Sequence, residues 1–238
     1  MFNWHAWQAS ICMKAEPIVA IDGPSGSGKG TVSRAVARAL GWALLDSGAL
    51  YRLVALAARQ AGVALDDADR LAEIAKTFDI RFGAPEDGEE AIWLAGQDVT
   101  RLIRTESAGS DASRVAAIGS VRAALLQRQR AFAGPGGLVA DGRDMGSIVF
   151  PGAPVKIYLT ASAEERAARR HKQLKEKGVT ANLAALSLEI AERDRRDINR
   201  AVAPLVASPD AVSIDTTGMP VEAVVQRILA IVRERLLI

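Results

Sequence analysis

Nine consecutive residues restrict what this chain can fold into more than any others: Gly23-Pro24-Ser25-Gly26-Ser27-Gly28-Lys29-Gly30-Thr31 sets two glycines, separated by four residues, directly ahead of a lysine. This is P-loop spacing, in which glycines let the backbone curl until its N–H groups and a helix N-terminus surround phosphate oxygens. Lys29 is then placed to reach the β- and γ-phosphates. The motif requires a strand before it and a helix after it. Pro17 to Asp22 is a short apolar run, as expected of a strand buried on both faces of a parallel sheet. From Lys29 to Leu40 the apolar Val32, Val36, Ala39 and Leu40 recur at helical spacing, and Gly41 is positioned to end the helix. The bland alternative, a glycine-rich turn with an exposed lysine, leaves both flanks unexplained. One departure stands out: Gly30 occupies the place of the usual Ser or Thr, and the hydroxyl follows at Thr31.

Further apolar runs at Leu138 to Asp141, Val155 to Thr160 and Ala211 to Asp215, with a helical stretch from Val221 to Leu237, repeat the alternation of strand and helix. Such alternation predicts an α/β core of three layers around a parallel sheet. One region departs from it. Phe78, Ile80 and Phe82 alternate with polar residues, Pro85 to Gly88 supplies a turn, and Ala91 to Ala95 forms a second apolar run, which predicts an antiparallel hairpin. With a partner helix expected from Ser113 to Phe132, residues 62–132 read as a small insertion, and 17–61 with 133–238 as the core.

The bulk numbers exclude some classes. The 30 basic and 28 acidic residues nearly cancel, giving a formal net charge of +2 rather than the excess of a general nucleic-acid binder. The single cysteine, Cys12, has no internal partner, and no apolar run approaches the roughly 18 residues of a membrane span, so a reducing, cytoplasmic setting and no membrane partner are expected. The first sixteen residues hold Trp4, Trp7 and Met13 without the continuous apolar stretch of a secretory signal, and read as a tail outside the fold.

Three further clusters bear charge. Leu45-Asp46-Ser47-Gly48-Ala49-Leu50-Tyr51-Arg52 opens a helix after a short apolar run, with Ser47 either a helix cap or a site residue and Arg52 either solvated or a phosphate ligand. Val139-Ala140-Asp141-Gly142-Arg143-Asp144-Met145-Gly146 ends a core strand, where parallel α/β sheets bind ligands. Asp141 there is suited to orienting Mg²⁺ or its waters and Arg143 to holding a phosphate; the rival reading is a loop salt bridge. The stretch from Glu164 to Arg200 carries Arg166, Arg169, Arg170, Arg193, Asp194, Arg195, Arg196 and Asp197. Its charges either solvate helix faces or, through Arg193, Asp197 and Arg200 at spacings of four and three, share one helical face able to meet a sugar and a phosphate.

Taken together these motifs resemble the bacterial cytidylate kinase family over residues 17–238. The resemblance implies a P-loop nucleoside monophosphate kinase, probed here position by position. It assigns residues 23–31 and Arg169 to ATP, and Arg52, Arg143 and Arg200 to the CMP phosphate. It sets Arg193 and Asp197 at the ribose, and Ser113, Arg122 and Asp144 at the cytosine with Ser47 nearby. Lys29, Arg143 and Arg200 carry the catalytic role, with Mg²⁺ accompanying ATP and Thr31 or Asp141 as its contact, directly or through water. The insertion is implied to close over the monophosphate, and a short lid at about 168–177 over ATP. CMP and dCMP are the implied acceptors of a monomeric enzyme. Kinases for UMP, AMP or dephospho-coenzyme A share the same core logic. A nucleotide switch lacks support: there is no Asn-Lys-x-Asp motif, and the one Asp-x-x-Gly match, Asp215 to Gly218, falls near the C-terminus. An RNA-binding module built on the arginine stretch would show steeply salt-dependent binding without phosphoryl transfer.

Overall fold

The computed structural model describes residues 17–83, 91–176 and 178–237. Five strands form the central sheet: β1 Ile18–Asp22, β2 Ala43–Asp46, β6 Leu138–Gly142, β7 Val155–Thr160 and β8 Val212–Asp215. They lie in the order β2-β6-β1-β7-β8, and every pairing is parallel. Successive side chains of β1 serve opposite faces, as the pleat dictates. Val19 and Ile21 pack under α1 (Lys29–Leu40) and α8 (Val221–Leu236), while Ile18 and Ala20 pack under α2 (Ser47–Gln60). Helices on both faces of a buried parallel sheet make the expected three layers.

The register fixes where chemistry can occur. Asp46 of β2 lies beside Asp141 of β6, and Asp22 of β1 beside Gly142, so adjacent strands present carboxylates at one end of the sheet. That end is the carboxyl edge, where the P-loop also emerges.

Residues 62–132 hold α3 (Ala68–Thr77), β3 (Ile80–Gly83), β4 (Ala91–Leu94), β5 (Gln97–Asp98), α4 (Glu106–Val115) and α5 (Gly119–Arg130). Strands β3 and β4 pair antiparallel, and the short β5, which the sequence did not disclose, adds to β4. The expected turn at Pro85 to Gly88 lies outside the described residues, as do the N-terminal tail and the last residue assigned to the lid. Leu71, Ile92 and Leu125 join the same hydrophobic cluster as Leu50 and Leu53 of α2, so this stretch packs onto the core.

The helix expected from Ser113 to Phe132 is two helices. Ile118 is extended (φ −86, ψ 114) and Gly119 opens α5, while Arg122 Nη1 donates to the Ala116 carbonyl at 3.3 Å and satisfies the end of α4. The break matters for function. Nine residues of uninterrupted helix rotate by about two and a half turns, which would have put Ser113 and Arg122 on opposite faces. With the break, both line the same cavity.

Candidate active site

One cavity of about 560 Å³ opens at the carboxyl edge of the sheet. The P-loop supplies one wall. Gly28 caps α1 in the left-handed region (φ 86), a conformation that favours glycine. Lys29 Nζ donates to the Pro24 carbonyl at 2.9 Å. Gly30 faces Asp141: a Cβ there would sit 3.3 Å from Oδ2, a tight approach that the carboxylate would have to accommodate by a small shift. Gly26 and Thr31 also line the cavity, whereas Gly23, Pro24 and Ser27 form the back of the loop.

Burial dominates the electrostatics of this wall. It pulls the Lys29 ammonium down to about 7, helped by the nearby Arg143 cation and opposed by Asp141. It pushes the Asp141 carboxyl up to about 7, against the pull of Lys29. Asp141 Oδ1 is buried without a hydrogen-bond partner among the described residues. Among the described residues no three His, Cys, Asp or Glu side chains group to hold a metal alone. An orphaned carboxylate oxygen beside a phosphate loop nevertheless suits magnesium, which keeps several waters and takes one or two carboxylates plus phosphate oxygens.

The opposite wall is arginine and aspartate. Arg143 Nε donates to Asp197 Oδ2 at 2.9 Å, and Arg200 Nη2 bonds the other oxygen of Asp197. Burial alone would raise the Asp197 carboxyl, but Arg143 and Arg200 outweigh it and hold the group below the usual range. The salt-bridge reading of Arg143 is thus realised, yet its partner comes from a distant helix and both groups line the cavity. Arg52 donates to the Ile103 carbonyl at 2.7 Å and is not a solvated surface residue. Arg193 Nε is buried with no partner among the described residues, and its guanidinium is pulled down to about 10 by burial and by Arg143 and Arg52. Four arginines therefore converge with fewer carboxylates than they need, which is the electrostatic preparation for a polyanion.

Helix α7 (Leu183–Ile198) carries Arg193 and Asp197, but not Arg200. The expected single helical face ends early because Asn199 Nδ2 donates to the Arg195 carbonyl at 2.7 Å and the chain folds back, Leu205 N donating to the Asp197 carbonyl at 2.8 Å. Arg200 reaches Asp197 from the loop instead.

Deeper in, Arg122 and Asp144 form a buried ion pair, with the Tyr51 ring 5.7 Å from the Arg122 guanidinium. Burial raises the Asp144 carboxyl, and Arg122 works against that rise. Ser113 lines the same space, but its Oγ donates to Asp197 Oδ1 at 3.3 Å, tying the deep part of the cavity to the Asp197 cluster. The helix-cap reading of Ser47 does not hold: Asp46 caps α2, Oδ1 accepting from Ala49 N at 3.0 Å, and Ser47 is the first helical residue.

The first half of the arginine stretch lies on α6 (Ala163–Glu176). Arg169 lines the cavity and clamps the P-loop from outside, donating to the Thr216 carbonyl at 2.6 Å and to that of Ser27 at 3.4 Å. Two contacts that support the site join residues distant in sequence. Asp22 accepts from Met145 N at 2.8 Å and Gly146 N at 2.9 Å, fixing the turn that follows Arg143 and Asp144. Burial pushes its carboxyl up to about 6, these two N–H donors opposing. Arg170 pairs with Glu106 across the cavity mouth, joining α6 to α4. Asp22 abuts the P-loop in sequence and was open to notice; the partner of Arg170 had no local signal.

A parallel sheet whose first strand feeds a P-loop, faced across one cavity by converging arginines, defines a P-loop kinase. The Cytidylate kinase family profile matches residues 19–234. The cytidylate kinase of Stutzerimonas stutzeri is 57% identical over 224 residues, covering 94% of this chain and 98% of its own. That of Azotobacter vinelandii is 56% identical over 225 residues, with the same coverages. The Pseudomonas paraeruginosa relative is 58% identical over 216 residues, covering 90% and 94%. The chain belongs to the cytidylate kinase family.

Proposed function

We propose that this protein transfers the γ-phosphoryl group of ATP to CMP, and to dCMP, yielding ADP and CDP or dCDP. The observation that carries this reading is the single cavity with Lys29 and the P-loop on one wall and Arg52, Arg143, Arg193 and Arg200 on the other. ATP occupies the loop side, and the acceptor phosphate lies among Arg52, Arg143 and Arg200. A nucleoside monophosphate is mostly dianionic at neutral pH, so its oxygen attacks without a strong base, and positioning is the main requirement. The cations offset repulsion between two polyanions and stabilise charge on the group in flight. Magnesium fits this scheme, held by Asp141 and Thr31 directly or through water. Bound with ATP, it would neutralise charge on the β- and γ-oxygens.

Residues 62–132 serve as the monophosphate-binding unit and about 168–177 as the lid. Support comes from Arg170 and Glu106, which link the two stretches over the cavity mouth. Closure excludes water and limits ATP hydrolysis.

A coupled assay of ADP release with CMP, dCMP, UMP and AMP tests the reading; CMP and dCMP should exceed the others. Arg143→Ala should reduce kcat at least about tenfold and also weaken CMP binding, because its partner is the attacking phosphate. An effect confined to thermal stability would mean that the Arg143–Asp197 bridge is structural only.

A proton-linkage test bears on Lys29, whose amine is pulled down to about 7 by burial. Phosphate oxygens favour the charged amine, so the bound form titrates higher than the free form. The sign follows: metal-free ATP binding takes up protons near pH 8 and weakens as pH rises through about 7. Calorimetry in two buffers of different ionisation enthalpy reads the uptake, which should shrink in Lys29→Ala.

A further inference from the structure

Gln129 has no wall on the cavity, yet one bond connects it to a residue that does. It lies on α5, only 2% exposed, and its Oε1 accepts from Ser47 Oγ at 2.8 Å. Ser47 lines the cavity together with Arg122 and Asp144. Tyr51, one helical turn beyond Ser47 on α2, places its ring 5.7 Å from the Arg122 guanidinium, which in turn holds Asp144. Ser47 and Asp144 therefore belong to the same region of the wall.

A serine hydroxyl has one proton and two lone pairs. With the proton directed to Gln129, Ser47 presents only lone pairs to a ligand. Asp144, paired with Arg122, likewise turns carboxylate oxygens to this region. Two acceptors at one place suit an amino group, which has two protons to give. They disfavour a carbonyl, which has none. The 4-position is where the pyrimidines differ in this respect: cytosine carries an amino group and uracil an oxygen.

We propose that Gln129 is a positioning residue that fixes Ser47 as an acceptor and thereby contributes to selecting a 4-amino over a 4-oxo pyrimidine; this rests on the CMP reading above. Without the acceptor at Gln129, the Ser47 hydroxyl is free to rotate and donate to a 4-oxo group. The penalty on UMP then falls.

The test compares kcat/KM for CMP and UMP in the wild type, Gln129→Met, Ser47→Ala and the double variant. Methionine keeps nearly the volume of glutamine, which limits repacking. Each single variant should narrow the CMP-to-UMP preference by about three- to tenfold, the scale of one neutral hydrogen bond. Gln129→Met should have no further effect on the ratio once Ser47 is alanine, since its action runs through that hydroxyl. A purely structural role predicts something else: equal losses on both substrates, or an effect on the ratio that persists in the Ser47→Ala background. Either result overturns the proposal, as does a Ser47→Ala variant with an unchanged ratio. Gln129→Leu reads the same ratio if the methionine variant does not fold. A wild type with no preference for CMP overturns the CMP reading and this proposal together, whereas a strong wild-type preference left intact by Gln129→Met overturns the role of Gln129 alone.

Discussion

Lys29→Ala is expected to lower kcat by at least about a hundredfold while the protein stays folded. The two halves of this expectation have separate causes. Lys29 is buried, its amine is pulled down toward neutrality by that burial, and among the described residues it donates to the Pro24 carbonyl of its own loop. Removing it takes away a group that the fold accommodates at a cost, so the melting temperature should hold or rise. Catalysis is different, because a cation facing the γ-phosphate gains most as charge shifts during transfer. The loss should therefore appear in kcat more than in the KM for CMP. Steady-state kinetics beside a thermal melt reads both. Turnover near that of the wild type would refute the P-loop assignment.

Much of this site could be read from the sequence because it is carried by local motifs. The P-loop lies between a strand and a helix of unmistakable pattern, and both Arg143 and Asp144 follow directly on β6. What could not be read depended on chain geometry beyond one element. One helix is expected from Ser113 to Phe132, and only the extended Ile118 and the contact of Arg122 with the Ala116 carbonyl reveal the break. Similarly, spacing placed Arg200 on the helix with Asp197, whereas the fold-back after Asn199 delivers it from a loop. In both places the residues line the cavity, although the backbone that brings them there differs from the expected one. Bonds between distant elements, such as Ser47 with Gln129 or Glu106 with Arg170, leave no periodic trace in sequence at all.

Under the proposed function, the Arg122–Asp144 pair bears on both stability and substrate choice. Their side chains are 7% and 3% exposed, and Tyr51 packs beside the guanidinium. Asp144→Ala leaves Arg122 buried without its counter-charge, a change that typically costs about 3–5 kcal/mol. A marked fall in melting temperature is thus expected, and kinetics must be measured well below it. The same pair offers a carboxylate acceptor next to a guanidinium donor, which matches cytosine, with its N4 amino donor beside the N3 acceptor. Uracil presents O4 and N3–H, the reverse order. UMP would set its oxygen against the carboxylate and its N3–H against a donor, a mismatch of about 1–3 kcal/mol or more in a closed site. Loss of Asp144 removes the attraction for CMP and the repulsion of UMP at once. Asp144→Ala should therefore reduce kcat/KM for CMP by about a hundredfold and narrow the CMP-to-UMP preference by at least about tenfold. Equal losses on both substrates would mean that Asp144 serves Arg143 placement or phosphate geometry, and cytosine selection would have to lie elsewhere in the cavity.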